Sequence, residues 1–221
     1  MTFGLNFRNL FLFASLLLQM SCDQAVRFEQ PQPAGVADME KLPDRLRGSY
    51  YSEKDSSTLE ITDDLIVVSN RALIRLALND AGEGIRLYGD TVTDVATGYS
   101  EIGKVLGDSI EVHWPLWTDT LFRSSGNYLL RKFKSRYFLN RRLDDGTWEV
   151  FILDPHNGGS LMVEELLAPE DISMLEHITP VKQIETDTIL GPRYEINPDR
   201  KALKKLMRRG FTARGIYRRV K

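Results

Sequence analysis

The stretch RYFLNRRLDDGTWEVFILDPHNGGSLMVEEL, residues 136 to 166, decides the fold class. RYFLNRRL and TWEVFIL flank a segment containing Asp145-Gly146, and EVFILD and LMVEEL flank His156-Asn157-Gly158-Gly159. Asp-Gly and Asn-Gly supply the positive backbone angles that tight turns need, so both pairs are expected to fold as antiparallel hairpins. Upstream, STLEIT (57–62) and LIVV (65–68) are parted by Asp63-Asp64, and SIEVHW (109–114) follows Gly107-Asp108. Short strands at this spacing predict a mainly β chain, either an antiparallel barrel or a sandwich, with a lipocalin-like barrel among the alternatives. NRALIRLAL (70–78) reads as strand or short helix, and GIYRRV (215–220) as a closing strand.

Two short peripheral helices complete the pattern. APEDISMLEHITP (168–180) opens on Pro169, Glu170 and Asp171, puts Ile172 and Leu175 on one face, and stops before Pro180. NPDRKALKKLMRRGF (197–211) offers Asn197 as cap, Pro198 as first residue and Gly210 as the left-handed stop. Its apolar stripe is Leu203, Leu206 and Met207, and Lys201, Lys204, Lys205 and Arg208 lie opposite. Arg208 and Arg209 complement the helix dipole.

The N-terminus reads MTFGLNFRNLFLFASLLLQMSC. Arg8 precedes an apolar run from Leu10 to Leu18, too short to span a bilayer, which takes about 20 helical residues. Charged start, short apolar centre and small residue before a cut form the layout of a secretory signal. Cys22 is the only cysteine, so no intrachain disulfide exists. Its position after Ser21 resembles the lipobox of bacterial lipoproteins, although Gln19 stands where that motif usually has an aliphatic residue. The resemblance implies that Cys22 receives a diacylglyceryl group and becomes the N-terminus of an exported protein anchored in the cell envelope, in the outer membrane. The expected organisation is a signal peptide over 1–21, a lipidated cysteine and flexible tether over 22–43, and a single β-rich domain over 44–221.

The second half carries a further likeness. Asp119-Thr120-Leu121-Phe122, LLRKFKSRYFLN (129–140), the helix ending Gly210-Phe211 and the final YRRV are similar to lipoproteins of the Bacteroidota. The resemblance implies an envelope lipoprotein with a β-rich domain and no assigned chemistry.

Composition narrows the function. A formal net charge of −2 lacks the basic excess of a general nucleic-acid binder. GYSEIGKVLGDS (98–109) contains G-x-x-x-x-G-K through Gly98, Gly103 and Lys104, but Val105 replaces the hydroxyl that binds magnesium. The turn at Gly107 also leaves no room for the helix that holds phosphates. Nucleotide binding is therefore not expected, and the segment reads as a hairpin. Ser100 falls one residue short of a nucleophile elbow. His113, His156 and His177 form no ligand pair, so neither a metal nor another cofactor is expected. Most carboxylates occupy turns; Asp119 and Asp154 are the least turn-like, and no catalytic residue is assigned.

The most ordered charge pattern is LLRKFKSRYFLNRRL (129–143). Taken as one strand, it puts Leu129, Phe133, Tyr137, Leu139 and Leu143 on one face and Lys132, Lys134, Arg136 and Arg142 on the other, interrupted by Phe138. The cationic face would suit an anionic glycan or envelope partner, or else pair with Glu149, Glu164 and Glu165 on neighbouring strands. Trp114 and Trp117 would stack on a sugar if exposed and join the core if buried. The expected function is a lipid-anchored binding or structural module. The alternatives are a lipocalin-like carrier with a cavity lined by Phe133, Tyr137 and Trp148, and an envelope hydrolase.

Overall fold

The computed structural model describes residues 26–79, 84–166, 169–184, 192–211 and 213–220. The expected signal peptide and Cys22 lie outside these. The first strands are β1 (Val26–Phe28), β2 (Asp38–Met39), β3 (Gly48–Ser52), β4 (Ser57–Ile61) and β5 (Leu65–Ala77). β6 (Ile85–Tyr88), β7 (Thr91–Asp94), β8 (Ser100–Ile102), β9 (Lys104–Leu106) and β10 (Ser109–Arg123) follow. Next come β11 (Tyr128–Phe133), β12 (Arg136–Arg142), β13 (Trp148–Pro155) and β14 (Ser160–Glu165). Helix α1 (Pro169–Glu176), β15 (Val181–Ile184), β16 (Arg193–Ile196), α2 (Arg200–Arg209) and β17 (Ala213–Arg219) complete the chain.

Both hairpins of the 136–166 stretch form as their turn residues dictate. β12 pairs with β13 around a turn where Gly146 has φ 85°, and β13 pairs with β14 across Gly158 and Gly159, at φ 81° and 77°. The segment 129–143, however, is two strands. The chain reverses at Lys134-Ser135, with Lys134 in the left-handed region at φ 56°, and Phe133 pairs directly with Arg136. Partners on adjacent strands share a face. Because Lys132 pairs with Tyr137 and Leu130 with Leu139, even positions of β11 share a face with odd positions of β12. The turn thus flips the parity on which the single cationic face depended.

The main sheet runs β15-β16-β1-β13-β14-β17-β3-β4-β5-β10-β9, and β12, β11 and β2 branch from the other edge of β13. Nearly all pairings are antiparallel; β1 with β16 is parallel. No pairing among the described residues closes the path, so the barrel alternative is set aside and the layering is that of a sandwich. Side chains of β3, β4, β5 and β10 (Tyr50, Leu59, Ile66, Phe122) meet those of β11 to β13 (Leu130, Tyr137, Leu153) in one cluster. On the outer face of β12 and β13, Phe138, Val150 and Ile152 form a second core with α1 and α2. A strand covered on both faces reads as a continuous apolar run, which explains VFIL at 150–153. From α2, Leu203, Leu206 and Met207 are buried there, each contributing about 1.5–3 kcal/mol.

From Val26 onward the chain departs from the tether expected over 22–43. Val26, Arg27 and Phe28 are buried as β1, between β13 and β16. Gln32 is also buried, its N–H donating to Asn140 Oδ1 (2.6 Å) while Asn140 Nδ2 donates to Gln32 O (2.9 Å). Composition suggested a loose linker, but these contacts lie over a hundred residues away in sequence.

β6, β7 and β8 form a separate sheet, and a satellite cluster of Val92, Ile110 and Val112 forms with partly buried side chains of β5, β6 and β10. The motif at 98–109 crosses between the two sheets: β8 pairs with β7, and β9 pairs with β10. The expected hairpin is therefore β9–β10 alone. Gly103 makes the crossing, where a Cβ would lie 2.6 Å from Ile110 Cγ1 and 2.7 Å from the Glu111 carbonyl oxygen. Only a residue without a side chain passes there. Lys104 begins strand β9, where a phosphate-binding loop would need a helix.

Candidate functional site

The hairpin at Lys134-Ser135 disperses the four predicted cations. The Lys132 ammonium lies over the Tyr137 ring, 5.5 Å from its centroid, and Lys134 is exposed at the turn. Arg142 lies over the Trp148 ring at 5.9 Å. Arg136 turns inward. Its Nε is 2.7 Å from Asp154 Oδ2, its Nη1 is 3.4 Å from Glu164 Oε2, and Nη1 also donates to the Met207 carbonyl at 3.1 Å. Arg136 thus takes the cross-strand pairing that was the alternative to a partner surface.

That pairing belongs to the first of two internal charge networks. Arg214 Nε lies 3.2 Å from Glu164 Oε1, and His156 Nε2 lies 3.8 Å from Asp154 Oδ2. Burial pushes the Glu164 carboxyl above its ordinary range even though Arg136 and Arg214 pull the other way. In the second network, Arg27 Nη1 lies 2.8 Å from Glu149 Oε1, and both side chains are buried. Arg141 reaches the other Glu149 oxygen and, through Nη1, Asp119 Oδ1 at 3.1 Å. Burial alone would lower the Arg141 pKa, but Glu149 and Asp119 outweigh it and hold the guanidinium protonated beyond its ordinary value. The two carboxylates singled out from sequence, Asp119 and Asp154, are therefore each engaged by an arginine. Asp154 and Glu164 are closed to a substrate, and the arrangement satisfies charge rather than presenting acid and base to a cleft.

The aromatic candidates also separate. Phe133 belongs to the second core and Tyr137 to the first, while Trp148 packs half-buried against the second. Trp114 meets the Tyr99 ring edge-on at 5.4 Å beside the satellite cluster, and Trp117 is 44% exposed. A cavity shared by Phe133, Tyr137 and Trp148 is thus not assembled. In the first core Leu59, Tyr137, Leu139 and Leu153 are fully buried, so side chains fill the space a carrier would keep for its ligand.

The surface of α2 is different. Its cap is Asp199, whose carboxylate accepts from Ala202 N at 2.7 Å; the expected cap, Asn197, instead donates to Glu29 Oε2. Gly210 ends the helix as expected, at φ 76° with its N–H on the Leu206 carbonyl. Between these ends stand Arg200, Lys201, Lys204, Lys205, Arg208 and Arg209, and no acidic residue. All but Lys204 are exposed. Among the described residues none of the six lies within 4.0 Å of a carboxylate. The Arg200 guanidinium rests 5.1 Å from the Phe133 ring centroid, which docks the helix start beside the β11–β12 turn and its exposed Lys134. A shallow groove of about 220 Å³ borders the same helix, lined by Thr179, Pro180, Asn197, Asp199, Lys201 and Lys205. The arginines of the inner networks are each matched by acid, whereas these cations have no such match among the described residues. The sequence displayed this stripe, but the apolar positions drew attention to packing. The signal was the absence of any acid between Arg200 and Arg209.

No protein-family model, curated protein or solved structure matches this chain.

Proposed function

We propose that this chain is a lipid-anchored protein of the cell envelope that binds an anionic partner through the solvent face of α2, without catalysis. The observation that carries the reading is the row of six basic residues with no carboxylate in reach among the described residues. Such a face attracts anions over a Debye length of about 8 Å at physiological salt. The partner classes that fit are an acidic glycan, an acidic envelope protein or an anionic headgroup layer. The anchor rests on the lipobox at Cys22, and the cationic surface replaces the strand face that the sequence suggested.

Charge reversal tests it. Lys201→Glu, Lys205→Glu and Arg208→Glu together should abolish low-salt retention on an immobilised acidic polysaccharide while leaving the melting temperature nearly unchanged, because all three side chains are exposed. Retention by the triple variant equal to that of the parent chain would exclude α2 as the contact surface.

A further inference from the structure

The first described strand, β1, begins very close to the proposed anchor. Val26 is fully buried in the second core, and it lies only four positions after Cys22. Four residues reach at most about 14 Å when fully extended. Val26 and Phe28 pack in the same cluster as Leu203, Leu206 and Met207, so the strand that follows the anchor and the buried stripe of α2 belong to one layer. A leash this short holds that layer against the bilayer, and the outward surface of the layer includes the cationic face of α2. Tethering also gives headgroups an effective concentration that a soluble anion does not match.

From this we infer that the anionic partner of α2 is the headgroup layer of the membrane that holds the lipid, an assignment that rests on the anchored-protein reading above. The contact is electrostatic adsorption, not insertion. Leu203, Leu206 and Met207 are committed to the protein core, so α2 has no apolar face to bury among acyl chains, as an interfacial amphipathic helix would. A diacylglyceryl group carries two acyl chains and anchors stably by itself, so the basic patch sets how the domain sits on the membrane rather than whether it stays there. Each basic residue beside an anionic surface strengthens binding about fivefold, so three of them contribute about a hundredfold.

The test uses a chain starting at Asp23, which keeps every residue of both cores, mixed with sedimenting vesicles. Phosphatidylcholine vesicles should leave it in solution. Vesicles that also contain phosphatidylglycerol should sediment it, with release by added salt. The triple Lys201→Glu, Lys205→Glu, Arg208→Glu variant should bind more than about a hundredfold more weakly, because it removes three attracted charges and adds three repelled ones, and the milder Lys201→Gln, Lys205→Gln pair should show a smaller loss. Equal sedimentation with neutral vesicles, salt-resistant binding, or no binding to anionic vesicles overturns the assignment. A chain that binds acidic polysaccharide but ignores anionic vesicles overturns it too, and leaves the anionic-partner reading standing. An intact mass of the membrane-derived protein without lipid on Cys22 removes the anchor reading and the short leash together.

Discussion

Replacing Glu149 with Gln removes the carboxylate that joins Arg27 to Arg141 while conserving shape. At 2.8 Å and an effective dielectric of about 20, the gross attraction between Arg27 and Glu149 is about 6 kcal/mol. Desolvation of two buried ions offsets much of that in the intact pair, so the pair itself is only modestly stabilising. Removing one partner is another matter, because the guanidinium stays buried and loses the charge of Glu149. Loss of a buried partner typically costs about 3–5 kcal/mol. Against a total stability of about 5–15 kcal/mol, that is a large fraction. In a domain of this size each kcal/mol moves Tm by about 2–4 °C, so a fall of about 6–20 °C is expected. Urea unfolding followed by tryptophan fluorescence should show a lower midpoint with an unchanged slope. The double replacement Arg27→Met, Glu149→Met should recover part of the loss, since no uncompensated charge is left between these two positions. A Glu149→Gln cost below about 1 kcal/mol would refute the description of this network as a charge-compensated buried unit.

Three further outcomes are expected. Leu206→Ala should cost about 2–5 kcal/mol in urea unfolding, because the side chain is fully buried where α2 meets the outer face of the sheet. Burial opposes ionisation of Asp55, but hydrogen bonds from Ser57 Oγ and N outweigh it and hold the carboxyl below its ordinary value. Its folded-state pKa is thus below its unfolded one, so its stabilisation is complete above about pH 4 and is lost as pH falls through the folded value. Asp55→Asn should therefore flatten the acid limb of Tm against pH, and parallel limbs would contradict the assignment. Cys22→Ser should abolish incorporation of labelled fatty acid in cells, and persistent labelling would place the lipid elsewhere.

The hairpins around Gly146 and Gly158-Gly159 were legible because their turn residues encode the required backbone angles locally. The reversal at Lys134-Ser135 was not, because a lysine there gives no sign of positive φ, and the alternation on either side continues across the turn. The cap of α2 was placed two residues early for a related reason. Asn197 and Asp199 are both capable caps, and the choice follows from Asn197 being drawn to Glu29 on a distant segment. β1 was hidden because its partners, β13 and β16, come much later in the chain, and three residues are too few for a period. The charge networks were equally out of reach: Arg27 and Glu149 are 122 residues apart. Residue types showed that acids were available for the arginines, but not which arginines would be left without one. The acid-free run from Arg200 to Arg209 marks the α2 stripe in sequence, but that its cations have no carboxylate within reach among the described residues is a property of the fold.

β17 has a consequence for how this chain is made. The strand over Ala213–Arg219 fills the gap between β14 and β3, hydrogen-bonded to both. It follows every other described strand in sequence, so until it emerges during synthesis β3 and β14 each present an open edge. Such edges recruit strands from other molecules. A nascent chain stalled or clipped before Ala213 would keep its turns and most of its apolar side chains, yet lack the piece that joins the two halves of the sheet. It should aggregate rather than fold to a smaller domain. In this protein the arrival of β17 is what completes the sheet between β14 and β3.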